Sequence, residues 1–300
     1  MVDPSSPRCT GELVFEQVSS LGKTTATHEY VAYPLKFLHP STIMPLSFPT
    51  AVTCILGYGG GLVGGDCTRM NVQVGPDATA VLCTQATTKV YKPKPTAPTH
   101  TSQEMSVTLD SNAFLALVPD PITCFDGAMY KQYQRFTVHP TASLVFIDWM
   151  TSGRHARGES WSFASYESCN QVVMEGDDAP ILLDRMRLQE EAEHSLRARM
   201  GGMTVLGTVV LVGPRVKAMA DALIQRGARK ALKPNESPIP YGHVATNVHP
   251  NVRSAVSPLG KSGAIVRIAG RTTEEAYAFV KDLLAPLEDL VGFKCFQENR

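Results

Sequence analysis

From about residue 10 to 175 the chain sets short apolar or alternating runs between Gly, Pro, Asn and Asp, the punctuation of strands and turns. The runs Gly11 to Val18, Thr50 to Leu56, Met70 to Val74, Thr79 to Thr84, Met105 to Leu109, Ala113 to Val118, Gln134 to Val138 and Leu144 to Trp149 are each expected to be strands. No helical stretch interrupts them. A doubly wound α/β fold is thereby excluded for this half, because it needs a crossover helix between parallel strands. Lys92 to Thr99 carries three prolines and is read as an exposed loop or sheet edge.

Two helices are expected in the second half. One lies near 214–227, with Pro214 at its start, Val216, Met219, Ala220, Leu223 and Ile224 at helical spacing, and Gly227 as its stop. The other lies near 273–290, where Thr272-Thr273-Glu274-Glu275 forms a capping box before Ala276, Phe279, Val280, Leu283, Leu284 and Leu287. Pro286 is expected to kink or end it. Ile181 to Glu193 reads as a strand and then a turn, and Pro234 to Pro258 as a long surface loop. The expectation is one mainly β domain over residues 1–300, strand-rich over 10–212. No repeat of fixed period stands out, which leaves an irregular stack of strands open.

Composition narrows the partners. The chain is 43% hydrophobic and 19% charged, enough apolar side chain for a sizeable core. Lys plus Arg and Asp plus Glu balance at 28 each, and no basic run can neutralise a phosphate backbone, so nucleic acid is not an expected partner. Net charge near zero removes colloidal repulsion and favours life inside a complex. The seven cysteines are scattered without a CxxC pair and are read as buried, reduced thiols. The first residues lack a leader pattern and no run of about 18 apolar residues occurs, so a cytoplasmic protein with no membrane span is expected.

The most unusual stretch is Gly57-Tyr58-Gly59-Gly60-Gly61-Leu62-Val63-Gly64-Gly65-Asp66, after the apolar run Val52 to Leu56. Gly59, Gly61 and Gly64 satisfy GxGxxG, yet Met70 to Val74 resumes strand where a dinucleotide site needs a helix. No Gly-Lys-Ser/Thr follows either, which excludes a P-loop. The glycines suit a bend packed closely against another segment, or a flexible surface turn. Asp66 is placed to cap local amides or to face a passing cation.

Four ordered stretches resemble the UreD/UreH family of urease accessory proteins. The first is this loop, with Gly59, Gly60, Gly61, Gly64, Gly65 and Asp66. The second is Thr84 to Lys92, with Thr84, Gln85, Lys89 and Tyr91. The third is Pro119 to Ala128, with Pro119, Pro121 and Phe125. The last is Asp148 to Glu159, with Gly153, Arg154, Gly158 and Glu159. Cys83 stands where the family commonly has Thr, and Val118 where Leu is usual; both changes are small. The resemblance implies stacked β-layers of β-helical character with few helices, and no turnover. It implies work alongside a UreF-type accessory protein and a UreG-type GTPase, docking on apo-urease, and conduction of nickel. No tightly bound cofactor is implied, only transient Ni²⁺.

Within Gly153 to Glu159, His155 and Glu159 are candidate nickel contacts together with Asp66, since imidazole and carboxylate both suit the ion. An Arg154–Glu159 salt bridge tying off a turn explains the same residues equally well. His243 and His249 are further, weaker metal candidates in the Pro-rich loop. The alternative to a scaffold is a β-rich enzyme acting on a small polar substrate at the glycine loop. No GxSxG or HExxH pattern supports it.

Overall fold

Val72, Val107 and Phe136 are buried register partners on three parallel strands, and Val74, Leu109 and Val138 form the next rung of the same ladder. Inward residues at every second position of strand after strand are what the alternating sequence runs build. The computed structural model describes residues 9–40, 49–94, 100–231, 249–261 and 263–296. In chain order its strands begin with β1 (Gly11–Val18), β2 (Lys23–Val31), β3 (Leu35–Leu38), β4 (Thr50–Gly57), β5 (Cys67–Val74), β6 (Thr79–Cys83), β7 (Thr88–Val90) and β8 (Thr101–Leu109). They continue with β9 (Phe114–Val118), β10 (Ile122–Cys124), β11 (Met129–Val138), β12 (Ser143–Thr151), β13 (Ser165–Met174), β14 (Leu182–Gln189), β15 (Val205–Val212), β16 (Val252–Leu259) and β17 (Gly263–Gly270). The helices are α1 (Leu196–Arg199), α2 (Lys217–Ala231) and α3 (Thr273–Val291).

One sheet has the order β14, β13, β11, β8, β5, β1, β2. The second runs β16, β17, β15, β12, β9, β6, β4, β3, with β10 beside β12 and β7 beside β10. From β4 to β13 the chain steps back and forth between them. Strands β5, β8, β11 and β13 pair in parallel in the first sheet, and β4, β6, β9 and β12 pair in parallel in the second. Each return strand lies in the opposite sheet, so parallel pairing arises without a crossover helix. The mainly β architecture agrees with the strand pattern of the sequence, and the stacked, β-helical layering is what the family resemblance implied.

Successive turns stack as well. Asp77 and Asn112 both take the left-handed conformation, and Asn112 Nδ2 donates to Asp77 Oδ1 at 3.0 Å. The turns between other coils differ in length, because β7 and β10 are inserted, and no fixed period survives in the sequence. Between the sheets Phe136 stacks on Phe146 with ring centres 4.6 Å apart. Each ring contributes about 2 kcal/mol by burial and the pair about 1 kcal/mol more.

Helices α2 and α3 cover the outer face of the second sheet, where Met219, Leu223, Phe279, Leu283 and Leu287 pack with Val145, Val209 and Val266. Thr272 caps α3 by accepting from the Glu275 amide at 3.2 Å, and Gly292 ends it in the left-handed conformation. Pro286 does not end this helix, which runs on to Val291. A helix-interior proline costs about 3 kcal/mol, and burial of Leu283, Leu284, Leu287 and Val291 outweighs that at about 1.5–3 kcal/mol each. Likewise Gly227 does not stop α2, which continues to Ala231, because an interior glycine costs only about 1 kcal/mol.

Other expectations need correction. The segment read as a loop to Pro258 holds β16, an edge strand, which tolerates Pro258; residues 232–248, with His243, lie outside the described residues, as do 95–99. His249 is 8% exposed and bonded to Asp282 at 2.8 Å, rather than a solvated loop histidine. Of the cysteines, Cys54, Cys83, Cys124 and Cys295 are buried, whereas Cys67 is exposed and Cys9 and Cys169 are half-buried. Cys67 opens a strand whose alternation turns it outward. Ile181 to Glu193 does hold a strand, β14.

Candidate functional site

After β4 the chain makes a short 3₁₀ turn, Tyr58–Gly60, with Gly59 and Gly60 at φ 68° and 75°. Gly61 and Gly64 are required for proximity. A Cβ on Gly61 would stand 2.6 Å from the Lys89 carbonyl, and one on Gly64 2.2 Å from the Pro93 Cα. The loop is held there by Leu62 and Lys89, whose amide and carbonyl bond at 2.8 Å, and by the Tyr91 amide on the Leu62 carbonyl at 2.9 Å. Gly65, at φ 93°, completes the bend, and β5 follows directly. No helix opens at Gly64, so the phosphate-cradle reading falls and the close-packed bend stands. Asp66 Oδ2 accepts from the Val63 amide at 2.8 Å, which is local capping.

The four sequence motifs meet on one part of the second sheet. The glycine loop bridges to Val90 of β7, β7 pairs with β10, and β10 pairs with β12. There Tyr91 meets Phe125 edge-on at 4.9 Å, and the Arg154 guanidinium lies 3.8 Å over the Phe125 ring. Arg154 grips Glu159 with both arms of its fork, the Nε bond being 2.8 Å. That bond and the adjoining guanidinium charge hold the Glu159 carboxyl below its ordinary value. Gly153 (φ 135°) and Gly158 (φ 77°) make the turn possible. His155 Nε2 lies 3.0 Å from Ser152 Oγ. Gln85 and Lys89 are exposed, and the Pro119 carbonyl accepts from Trp149 Nε1 at 2.8 Å.

Thus Asp66, His155 and Glu159 each have a local partner. Among the described residues no group of three or more His, Cys, Asp or Glu is arranged around a common point.

The more informative feature is a gap in the second sheet. Strand β12 pairs with β9 over Ser143–Phe146 and with β10 at Met150 and Thr151. Among the described residues Asp148 and Trp149 have no strand paired with them on that side, because β6 and β9 stop at Cys83 and Val118 before β7 and β10 resume. Thr84 and Asp120 span the gap: the Thr84 hydroxyl donates to Asp120 Oδ2 at 3.0 Å and accepts from the Asp120 amide at 2.8 Å. A cavity of about 300 Å³ lies here between the sheets, reaching the glycine loop and the exposed Gln85 and Ala86.

Asp148 is the cavity's buried carboxyl group. Its carboxylate accepts from Gln132 Nε2 at 3.0 Å, Asn170 Nδ2 at 2.6 Å and the Ser168 hydroxyl. Burial pushes its carboxyl above the ordinary value, against the pull of these three donors. Gln103, Gln132 and Gln134 face in beside it from the first sheet, and Tyr130 Oη lies 2.6 Å from Gln103 Oε1. Gln134 Oε1 and Asn170 Oδ1 are buried with no hydrogen-bond partner among the described residues. Glu104 borders the cavity too, but its carboxylate turns outward to Arg69 at 2.6 Å. No Lys, Arg or His is among the described lining residues.

Sequence reasoning quoted Asp148 within a motif without singling it out. The available signal was a carboxylate in the middle of the apolar run Leu144-Val145-Phe146-Ile147-Asp148-Trp149-Met150, since a buried aspartate is rare unless it is paired, and a partner set implies a polar pocket around it. The alternation of Tyr130, Gln132, Gln134 and Phe136 carries a similar polar interruption.

Fold and site together define a two-sheet β-stack with a mostly apolar cavity, into which Asp148 and the glutamines Gln103, Gln132 and Gln134 face, at a break in strand pairing. The chain belongs to the UreD family: the model described as UreD urease accessory protein matches residues 9–294. It is 35% identical over 295 residues to urease accessory protein D of Arabidopsis thaliana, covering 94% of this chain and 98% of that protein. To the protein of the same name from Oryza sativa subsp. indica it is 34% identical over 293 residues, with 94% of both covered. To urease accessory protein UreD of the bacterium Sorangium cellulosum it is 35% identical over 283 residues, with 94% and 81% covered. Among the described residues no helix is long and apolar enough to cross a membrane.

Proposed function

We propose that this chain is a non-catalytic scaffold of urease maturation, which passes nickel to apo-urease through the cavity between its sheets. It does so in complex with a UreF-type accessory protein and a UreG-type GTPase, in the reducing cytoplasm. The observation that carries this reading is the set of polar groups in the cavity lining, Asp148 and the inward Gln103, Gln132 and Gln134, with no cationic side chain among the described lining residues. A hydrated divalent cation in the cavity would find a carboxylate and amide oxygens facing it. Oxygen donors bind such an ion loosely enough to release it, which suits passage better than storage. Asp66, His155 and Glu159, near the motif cluster, would act only transiently.

An enzyme acting at the glycine loop needs room there for a substrate. The Cβ side of Gly61 and Gly64 is taken by Lys89, Tyr91 and Pro93, and the room that remains is the cavity reaching Gly60 and Gly61, so turnover separates the two readings. The test is reconstitution of apo-urease, nickel, GTP and both partners, with and without this chain, read by urea hydrolysis. Activation that depends on the chain is expected. Equal activation without it overturns the proposal, and turnover of a small polar substrate by the chain alone would favour the enzyme reading.

A further inference from the structure

Cys54 on β4 and Cys83 on β6 are register partners on adjacent parallel strands, and their sulfurs lie 3.2 Å apart. Neighbouring strands run about 4.8 Å apart, inside the roughly 4.4–6.8 Å Cα window that disulfides require. Side-chain rotation alone can therefore bring the sulfurs to bonding distance. Both thiols are buried, at 3% and 4% exposure. Cys83, however, borders the cavity, which gives a small solute one route to the pair.

We propose that Cys54 and Cys83 form a dithiol site that a peroxide-class oxidant closes to a disulfide. The Cys83 sulfur, as thiolate, attacks one peroxide oxygen; the O–O bond breaks, and a sulfenic acid and one water result. The Cys54 sulfur then attacks the sulfenic sulfur, the S–S bond forms, the S–O bond breaks and a second water leaves. Two thiols supply two electrons and two protons, and the peroxide takes them up. A cavity of about 300 Å³ admits hydrogen peroxide readily. Exposed Cys67 has Ser102 as its register partner and serves as an internal comparison, since it meets the oxidant without a thiol opposite.

Closure also has a mechanical consequence. Cys83 directly precedes Thr84, whose hydroxyl holds Asp120, and β4 ends at Gly57, at the head of the glycine loop. A bond between the two strands ties β4 to the end of β6, next to the sheet break. This inference stands on the sulfur geometry and does not depend on the nickel reading.

The experiment treats the full chain with hydrogen peroxide, alkylates remaining thiols under denaturing conditions and maps the peptides by mass spectrometry before and after reduction. A reducible Cys54–Cys83 cross-link should exceed every other cysteine pair by about tenfold. In Cys54→Ser, Cys83 should stall as a sulfenic acid that dimedone traps; in Cys83→Ser, Cys54 should remain alkylatable. Where either variant fails to fold, the wild-type map alone decides. Both thiols remaining alkylatable at a dose that oxidises Cys67 would overturn the proposal, as would preferential linkage of either to another cysteine.

Discussion

Replacing Asp148 by asparagine removes the cavity's buried carboxyl group while keeping its shape, which makes it the sharpest probe of nickel passage. Asp148 Oδ1 accepts from Gln132, and Oδ2 accepts from Ser168 and Asn170. An asparagine oxygen placed at the Oδ2 position keeps two of these donors, while its amide nitrogen meets Gln132 and loses one bond, at about 1 kcal/mol. Against that, the neutral amide avoids the desolvation that pushes this carboxyl above its ordinary value of 3.8. The two effects oppose each other, so Asp148→Asn should fold, with stability at pH 7 within about 2 kcal/mol of wild type. Transport should suffer far more. A unit charge about 4 Å from a cation contributes about 4 kcal/mol at an effective dielectric near 20. Even a third of that slows passage about tenfold. In the reconstituted system urease activation should therefore fall at least tenfold while the thermal midpoint moves only a few degrees. A folded variant that activates at the wild-type rate would refute conduction past Asp148. The same variant tests the electrostatics. The folded chain holds the Asp148 proton more tightly than the unfolded chain, so its contribution is fully present below the unfolded pKa. It is lost as pH rises through the folded value. In urea melts at stepped pH, Asp148→Asn should lose that decline.

Gly64→Ala places a methyl 2.2 Å from the Pro93 backbone and should cost at least about 2 kcal/mol, measured by chemical denaturation. Gly59→Ala, with open space but φ 68°, should cost about 1 kcal/mol. Pro286→Ala restores a donor within α3 and should raise stability by about 1–3 kcal/mol, visible as a higher thermal midpoint; an unchanged midpoint would mean the helix has already relaxed around the proline. Glu159, held below its ordinary pKa by Arg154, contributes stability present above the unfolded carboxylate value and lost as pH falls through the folded one. Arg154→Met should abolish that acid-side loss, and melts between neutral and acid pH decide it.

The glycine bend shows how far local reading reaches. Six glycines close together after an apolar strand, followed by another strand, already excluded a phosphate cradle and pointed to close packing. The structure supplied the neighbours, Lys89 and Pro93, that make Gly61 and Gly64 necessary. The Arg154–Glu159 pair was equally legible, since the two opposite charges stand five positions apart in a turn marked by Gly153 and Gly158. Gly227 and Pro286 misled because local propensity costs about 1 and 3 kcal/mol, less than the burial won by the stripes they interrupt. His249 misled for a similar reason: a Pro-rich neighbourhood suggested solvent, but packing on Asp282 and Phe279 buries it.

Strand identity, the capped final helix and membership of the motif set follow from the sequence because each depends on residues within a few positions of one another. Alternation, turn chemistry and capping are short-range properties. The cavity, the role of Asp148 and the meeting of Cys54 with Cys83 depend instead on which strand lies beside which. Stepping between two sheets brings residues far apart in the chain into register, and where β6 and β9 stop short of β7 and β10 the ladder opens. That pairing is settled by burial over the whole stack, so only the tertiary structure could decide it.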